Sequence, residues 1–140
     1  MELDLRWNYL RTIESYTFFS LNYLLTTKLH GNVFKYILPF SFAGPRYMKE
    51  LNIAQLKIEF IASNAFSGLT VTFLNLSTNH LTEIQDYHMK DIHGLTDLDV
   101  MKNRLTSFSA PKTLEQFKRV HTKFCCIFCH PVFLVVMVNR

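Results

Sequence analysis

The sequence contains little of the residue types that mark non-globular chains. Only 4 Gly and 4 Pro occur among 140 residues, which excludes a collagen-like fibre and a low-complexity linker. Hydrophobic residues make up 49% and charged residues 19%. A disordered chain is therefore excluded as well, because this much apolar surface can offset the entropy lost on folding.

The chain also lacks a strong charge excess and a long apolar segment. Its 15 basic and 11 acidic residues are interspersed, so they do not form the basic footprint of a nucleic-acid-binding protein. The longest uncharged apolar run, 131–138, is far shorter than the ~20 residues that span a bilayer. The acidic start, without an apolar h-region, does not match a signal peptide. The sequence predicts neither an anchor nor an export signal.

Apolar residues recur at intervals of 24, 24, 23 and 24 residues along most of the chain. The clearest copy reads Leu74, Leu76, Asn79, Leu81 and Ile84. The same asparagine position is occupied by Asn8, Asn32, Asn79 and Asn103, and by Leu56 in the third copy. The pattern resembles the leucine-rich repeat, in which a short L-x-L strand is followed by an asparagine that turns the chain.

This resemblance implies an α/β solenoid of about five 24-residue repeats. Its curved parallel sheet would line the concave side, with short helices or irregular turns on the convex side. We expect repeats over 1–108, a C-terminal cysteine cap or hinge start over 109–131, and an apolar tail over 132–140. Two positions break the pattern. Leu56 replaces an asparagine, and Gly44-Pro45 stands where leucine is expected, so each should cost a little stability.

Residues that flank the strand leucines should point out of the concave sheet, where such solenoids usually bind partners. Acidic residues recur there around one aromatic side chain. This combination would suit a basic peptide or protein hormone that presents Arg or Lys and one apolar anchor, although a solvated, mixed-charge sheet is the simpler alternative. The predicted ligand-binding residues are Asp4, Arg6, Trp7, Glu50, Asn52, Phe73, Asp97 and Asp99.

Asn75-Leu76-Ser77 is the one glycosylation sequon, which makes Asn75 a candidate acceptor. The same letters belong to the repeat pattern, and a glycan there would crowd the proposed binding surface, so we expect the sequon to be unused.

No phosphate-binding loop, nucleophile elbow or zinc-protease motif occurs. We therefore expect no enzyme, no cofactor and no metal.

The three cysteines, Cys125, Cys126 and Cys129, lie within five residues near the C-terminus. Cys126 to His130 matches the C-x-x-C-H haem-attachment pattern, and cysteine with histidine could also bind zinc. We favour a third interpretation, a disulfide-bonded cap over the apolar end of the solenoid. The odd number of cysteines suggests partners elsewhere, as in a chain cut from a longer protein.

The segment Phe124-Cys125-Cys126-Ile127 follows the repeats. It is similar to the end of the ectodomain in leucine-rich-repeat G-protein-coupled receptors. These receptors form the glycoprotein-hormone and relaxin receptor class, here of the invertebrate type. The resemblance implies that Cys125 and Cys126 pair with hinge cysteines and that the concave acids meet a peptide hormone. It also implies a position on the extracellular face of the plasma membrane in the full-length protein. The chain lacks the membrane helices of that class. A non-signalling extracellular leucine-rich protein for adhesion or protein interaction is the alternative.

Overall fold

A computed structural model of the chain describes residues 1–108 and 119–121. Short strands and one 3₁₀ helix, Asp86–His88, make up its regular structure there. The strands in chain order are β1 (Glu2–Asp4), β2 (Thr26–Lys28), β3 (Tyr36–Ile37), β4 (Met48–Asn52), β5 (Phe60–Ile61), β6 (Val71–Asn75), β7 (Glu83–Ile84), β8 (Asp97–Asp99), β9 (Ser107–Phe108) and β10 (Arg119–His121). No helix within these residues is long and apolar enough to cross a membrane.

Six parallel strands form the main sheet, in the order β1-β2-β4-β6-β8-β10. Each strand belongs to one coil of a solenoid; we count coils from residues 1, 25, 49, 72 and 96. The register pairs positions 2, 26, 50, 73, 97 and 119 in one row across the sheet, and positions 4, 28, 52, 75, 99 and 121 in a second row. The predicted leucine-rich-repeat-like solenoid is confirmed. The sixth strand, β10, lies in the segment that the sequence assigned to the cap.

The core consists of the side chains that point inward from each coil. The strand leucines Leu51, Leu74 and Leu98 are inaccessible to solvent. Three phenylalanines from successive coils stack inside the solenoid: the rings of Phe18 and Phe42 are 5.6 Å apart, as are those of Phe42 and Phe66. Because no coil can bury its own apolar side alone, these contacts between coils supply most of the stability.

The far side of the coils, formed by residues between the main-sheet strands, is mostly irregular. Strand β3 pairs with β5, and β7 pairs with β9, each over two residues. The sequence predicted short helices or irregular turns for this side, and the 3₁₀ helix Asp86–His88 is the single helical turn among the described residues. Short extended segments suit a solenoid whose coils are only about 24 residues long, because a helix rises just 1.5 Å per residue.

Three of the repeat asparagines, Asn32, Asn79 and Asn103, connect their own coil to the coil before it. The Nδ2 group of Asn79 donates to the carbonyl oxygens of Ile53 and Leu76 (2.9 Å each), and its Oδ1 accepts the backbone N–H groups of Leu56 and Ile58 (3.0 Å each). Asn32 and Asn103 make the corresponding bonds to the first and fourth coils. These amides satisfy buried backbone groups that the bend would otherwise leave unpaired.

The two interruptions of the repeat have different structural outcomes. Leu56 is fully buried, so the third coil gains an apolar contact where its neighbours have an amide. Gly44 has a φ of +131°, and a Cβ atom there would lie 2.4 Å from the Cα of Phe19. Glycine is thus required by the close approach of two coils. A third irregularity was not predicted: Thr27 replaces a strand leucine, and its buried hydroxyl has no hydrogen-bond partner.

Candidate functional site

The outward side chains of the main sheet bring most of the predicted ligand-binding residues into two adjacent rows. Glu50, Phe73 and Asp97 are consecutive members of the first row. The second row holds Asn52 and Asp99 on either side of Asn75. Neighbouring strands are about 4.8 Å apart, so each of these side chains lies within reach of the next. The remaining predicted residues, Asp4, Arg6 and Trp7, lie on the first coil.

Acidic residues on the first coil are neutralised by basic neighbours. The guanidinium of Arg6 binds both carboxylate oxygens of Asp4, with Nε at 2.8 and 2.9 Å and Nη2 at 2.6 Å. These hydrogen bonds hold the pKa of Asp4 at about 2. The Nζ of Lys28 lies 2.6 Å from Oε1 of Glu2, and this bond raises the pKa of Lys28. This end of the sheet therefore offers an incoming cation little net charge.

The region around Phe73 differs from the first coil in the partners of its acidic residues. Glu50 and Asp97 flank Phe73 on the two adjacent strands, and all three side chains are half-buried. Glu50 accepts only a 3.5 Å hydrogen bond from Asn52, and Oδ2 of Asp97 accepts the hydroxyl of Thr96 at 2.7 Å. Neither Glu50 nor Asp99 forms a salt bridge within the part of the chain that the structure describes. Phe73 is less exposed than the sequence suggested.

Residues in the second row also shape the backbone. In Asp4, Asn52, Asn75 and Asp99, Oδ1 accepts the N–H of the residue two positions further on, at 3.1, 3.3, 3.0 and 2.9 Å respectively. These Asx turns end the strands. Sequence reasoning assigned three of these residues only to ligand binding, although the recurrence of Asp or Asn at one repeat position was a visible signal for the turn.

Trp7 occupies a separate location at the end of β1. Its ring lies against the backbone of Gly31 on the next coil, where an added Cβ atom would be 2.2 Å from Cε3 of the indole. The indole and the His30 ring also form a T-shaped contact, with their centroids 5.8 Å apart. Burial lowers the pKa of His30. Because β1 and β6 are three strands apart, roughly 14 Å, the side chains of Trp7 and Phe73 do not adjoin each other.

The other predicted residues have distinct positions. Oδ1 of Asn75 accepts both the backbone N–H (3.0 Å) and the hydroxyl (2.7 Å) of Ser77, and the side chain is half-buried in the middle of the main sheet. Asn8 lies exposed on the first coil and donates to the carbonyl oxygens of Leu5 and Arg6. The cysteine cap of Cys125, Cys126 and Cys129 lies outside the described residues.

Comparison with known proteins adds no family to this description. No protein-family model matches the chain, and no curated protein shows significant sequence similarity to it. The class that the structure defines is thus a leucine-rich-repeat-like solenoid, and its function has to be inferred from the side chains of the main sheet.

Proposed function

We propose that the main sheet binds a basic peptide or protein segment around Phe73. The observation that carries this proposal is the row Glu50–Phe73–Asp97, in which two acids flank one aromatic ring, with Asp99 beside Asp97 in the second row. A ligand cation gains most from carboxylates that are partly withdrawn from water, because hydrogen bonds to charged groups are stronger there. The ring supplies an apolar contact for a neighbouring ligand residue.

The contrast within the sheet supports this location. The first coil also carries two acids, but Arg6 and Lys28 already occupy them. An arginine or lysine of a ligand would have to displace these partners, whereas at Glu50 and Asp99 it displaces no intramolecular cation of the described residues. The ligand should therefore bind over β4, β6 and β8.

We further propose that in the full-length protein this surface belongs to the ectodomain of a peptide-hormone receptor. The support is the similarity of the segment 124–127 to the cysteine cap of that receptor class. A non-signalling extracellular protein would use the same binding surface, so the two proposals differ in the rest of the protein and share the site.

The test removes charge without removing the Asx turns. A double variant, Asp97→Asn with Asp99→Asn, keeps an Oδ1 acceptor for the N–H of Met101. It should weaken the binding of a fluorescein-labelled peptide of arginine and leucine at least about ten-fold by anisotropy, because charge-assisted hydrogen bonds are lost. A peptide with glutamate in place of arginine is the ligand control.

The matched protein control is Glu2→Gln with Asp4→Asn, which changes the net charge equally on the first coil. We expect less than about a three-fold change in affinity, since these acids are already paired. Equal weakening by both double variants would mean that the peptide responds only to overall charge. Absence of measurable binding to the wild-type chain would contradict the proposed function.

A further inference from the structure

Asn75 occupies the centre of the surface that we propose to bind a peptide. It lies on β6 two positions after Phe73, and its register partners are Asn52 on β4 and Asp99 on β8. Two positions along a strand span about 6.6 Å, and neighbouring strands are about 4.8 Å apart. A ligand that contacts both Phe73 and Asp99 therefore also lies within reach of Asn75.

Two hydrogen bonds from Ser77 fix the orientation of the Asn75 amide. Oδ1 of Asn75 accepts the backbone N–H of Ser77 at 3.0 Å and its hydroxyl at 2.7 Å. A backbone N–H can only donate, so the side-chain atom that it meets must be the oxygen of the amide. This oxygen has two lone pairs, and Ser77 occupies both of them. Asn75 can therefore interact with a ligand only as a donor, through Nδ2.

The Nδ2 group of Asn75 is unpartnered and accessible. It has no acceptor among the residues that the structure describes. The buried side-chain polar atoms that lack a partner in this part of the chain are Oγ1 of Thr27, Nδ1 of His30 and Nε2 of His88, so Nδ2 of Asn75 is in contact with solvent. Because the side chain is half-buried, its amide is held in place while its two N–H donors stay open to a ligand.

Asn52, the equivalent residue of the third coil, makes the same turn with fewer hydrogen bonds. The residue two positions after it is Ala54, which has no hydroxyl, so Oδ1 of Asn52 accepts only a backbone N–H, at 3.3 Å. Its Nδ2 group donates to Oε1 of Glu50 at 3.5 Å. The turn thus requires only the acceptor. It does not account for the second bond to Asn75 or for the open donor there.

We propose that Nδ2 of Asn75 donates a hydrogen bond to a main-chain carbonyl oxygen of the bound peptide, next to the ligand residue that contacts Phe73. This inference rests on the function proposed above and adds the residue that holds the peptide backbone. The acceptor should be neutral, because Asp99 on the adjacent strand would repel an anionic one. A main-chain carbonyl is the neutral acceptor that every peptide carries. Since the amide is already oriented before binding, little ordering of the side chain opposes this bond.

The experiment measures binding of the fluorescein-labelled peptide of arginine and leucine to the whole chain by anisotropy. Salt at about 0.3 M weakens the attraction between an added acid and the arginines. Asn75→Asp keeps the acceptor for Ser77, as Asp99 does for Met101, but it removes the donor and sets a carboxylate against the ligand carbonyl. It should raise the Kd at least about five-fold. The matched control, Asn52→Asp, adds the same charge one strand away and should change the Kd less than about two-fold.

A change in the ligand tests the same hydrogen bond from the other side. In a peptide with one leucine between arginines, an ester in place of the amide that follows the leucine makes its carbonyl a weaker acceptor and keeps every side chain. The ester should weaken binding to the wild-type chain about three-fold and binding to Asn75→Asp hardly at all, because that variant has already lost the donor. An ester at the end of the peptide is the ligand control. Circular dichroism would show that each variant is folded.

The outcomes separate the role of Asn75 from the proposed function as a whole. If Asp97→Asn with Asp99→Asn weakens binding but Asn75→Asp does not, the acids bind the peptide without Asn75, and only the inference about Asn75 is overturned. Equal weakening by Asn52→Asp and Asn75→Asp would assign the loss to charge and would overturn it equally. So would an ester effect that persists in Asn75→Asp, since another donor would then hold the carbonyl. A wild-type chain that binds no peptide would overturn both proposals.

Discussion

Two neighbouring contacts between coils hold together by different means. Between the third and fourth coils, Asn79 bridges the backbones through hydrogen bonds of 2.9 to 3.0 Å on the main-sheet side. Between the second and third coils, Leu56 stands in place of the asparagine. There the far side carries the pairing of β3 with β5, the Lys35–Glu59 salt bridge at 3.1 Å and the stacked rings of Phe42 and Phe66.

Both contacts share the strand pairing of the main sheet, β2 with β4 and β4 with β6, and they differ in the interactions that are added to it. On the far side of the described residues, the third and fourth coils are linked by the single bridge of Thr70 with His93 and by no paired strands. The stack of rings ends there because Met89 follows Phe66 in the repeat. Stability is approximately a sum of nearest-neighbour terms. Fewer stabilising interactions on one side of a contact are therefore tolerated when the other side of that contact supplies more of them.

The largest effect should follow from removing the middle ring of the stack. Phe42→Ala leaves a cavity between Phe18 and Phe66 and should lower the free energy of unfolding by about 4 kcal/mol, measured by urea denaturation with circular dichroism. Phe19→Ala, at a side chain 65% exposed, is the matched control and should cost much less. A loss below about 1.5 kcal/mol for Phe42→Ala would mean that strand pairing alone holds the second and third coils together.

The next effect concerns the contact that relies on asparagine. Asn79→Leu reproduces the residue found at Leu56 but leaves the buried N–H groups of Leu56 and Ile58 without an acceptor, which should cost about 3 kcal/mol. Asn8→Leu, at the same repeat position on the exposed first coil, should cost about 1 kcal/mol or less. If the two variants melt at the same temperature, the bridge between coils contributes nothing beyond the turn itself.

The smallest effect is expected from the salt bridge of the second and third coils. Both side chains are largely exposed, at 56% for Lys35 and 42% for Glu59. A double-mutant cycle with Lys35→Ala and Glu59→Ala should give a coupling of about 0.5 kcal/mol or less, and added salt should reduce it. A coupling above about 1 kcal/mol would make the ion pair a principal part of that contact.

Much of the fold was predictable because the repeat is visible in the spacing of the apolar residues. The period placed the strands and their register correctly from Leu3 to Leu98. It did not predict β10, since Val120 is an isolated apolar residue and the strand pairs through its backbone. Nor could it show that Gly44 is needed for close contact with Phe19, because that requirement arises between coils and leaves no periodic signal.

The candidate site was predictable in part. Alternation along each strand identified the outward rows, including Glu50, Phe73 and Asp97. Sequence could not separate these residues from Asp4, because the pairing of Asp4 with Arg6 depends on side-chain geometry at the end of β1. The role of the cysteines and the identity of the partner stay predictions.

The asparagine bridges have a direction, and this has a consequence for how the chain is made. Each of the three bridging asparagines binds the coil that precedes it: Oδ1 of Asn32 accepts the N–H of Leu10, and Oδ1 of Asn103 accepts that of Leu81. A ribosome releases the coils in the same order, at about 5 to 20 residues per second. Every bridged coil must therefore wait about one to five seconds for the next one before its buried backbone is satisfied. Throughout synthesis, the growing end of the solenoid is therefore the end at which buried backbone groups are still unpaired.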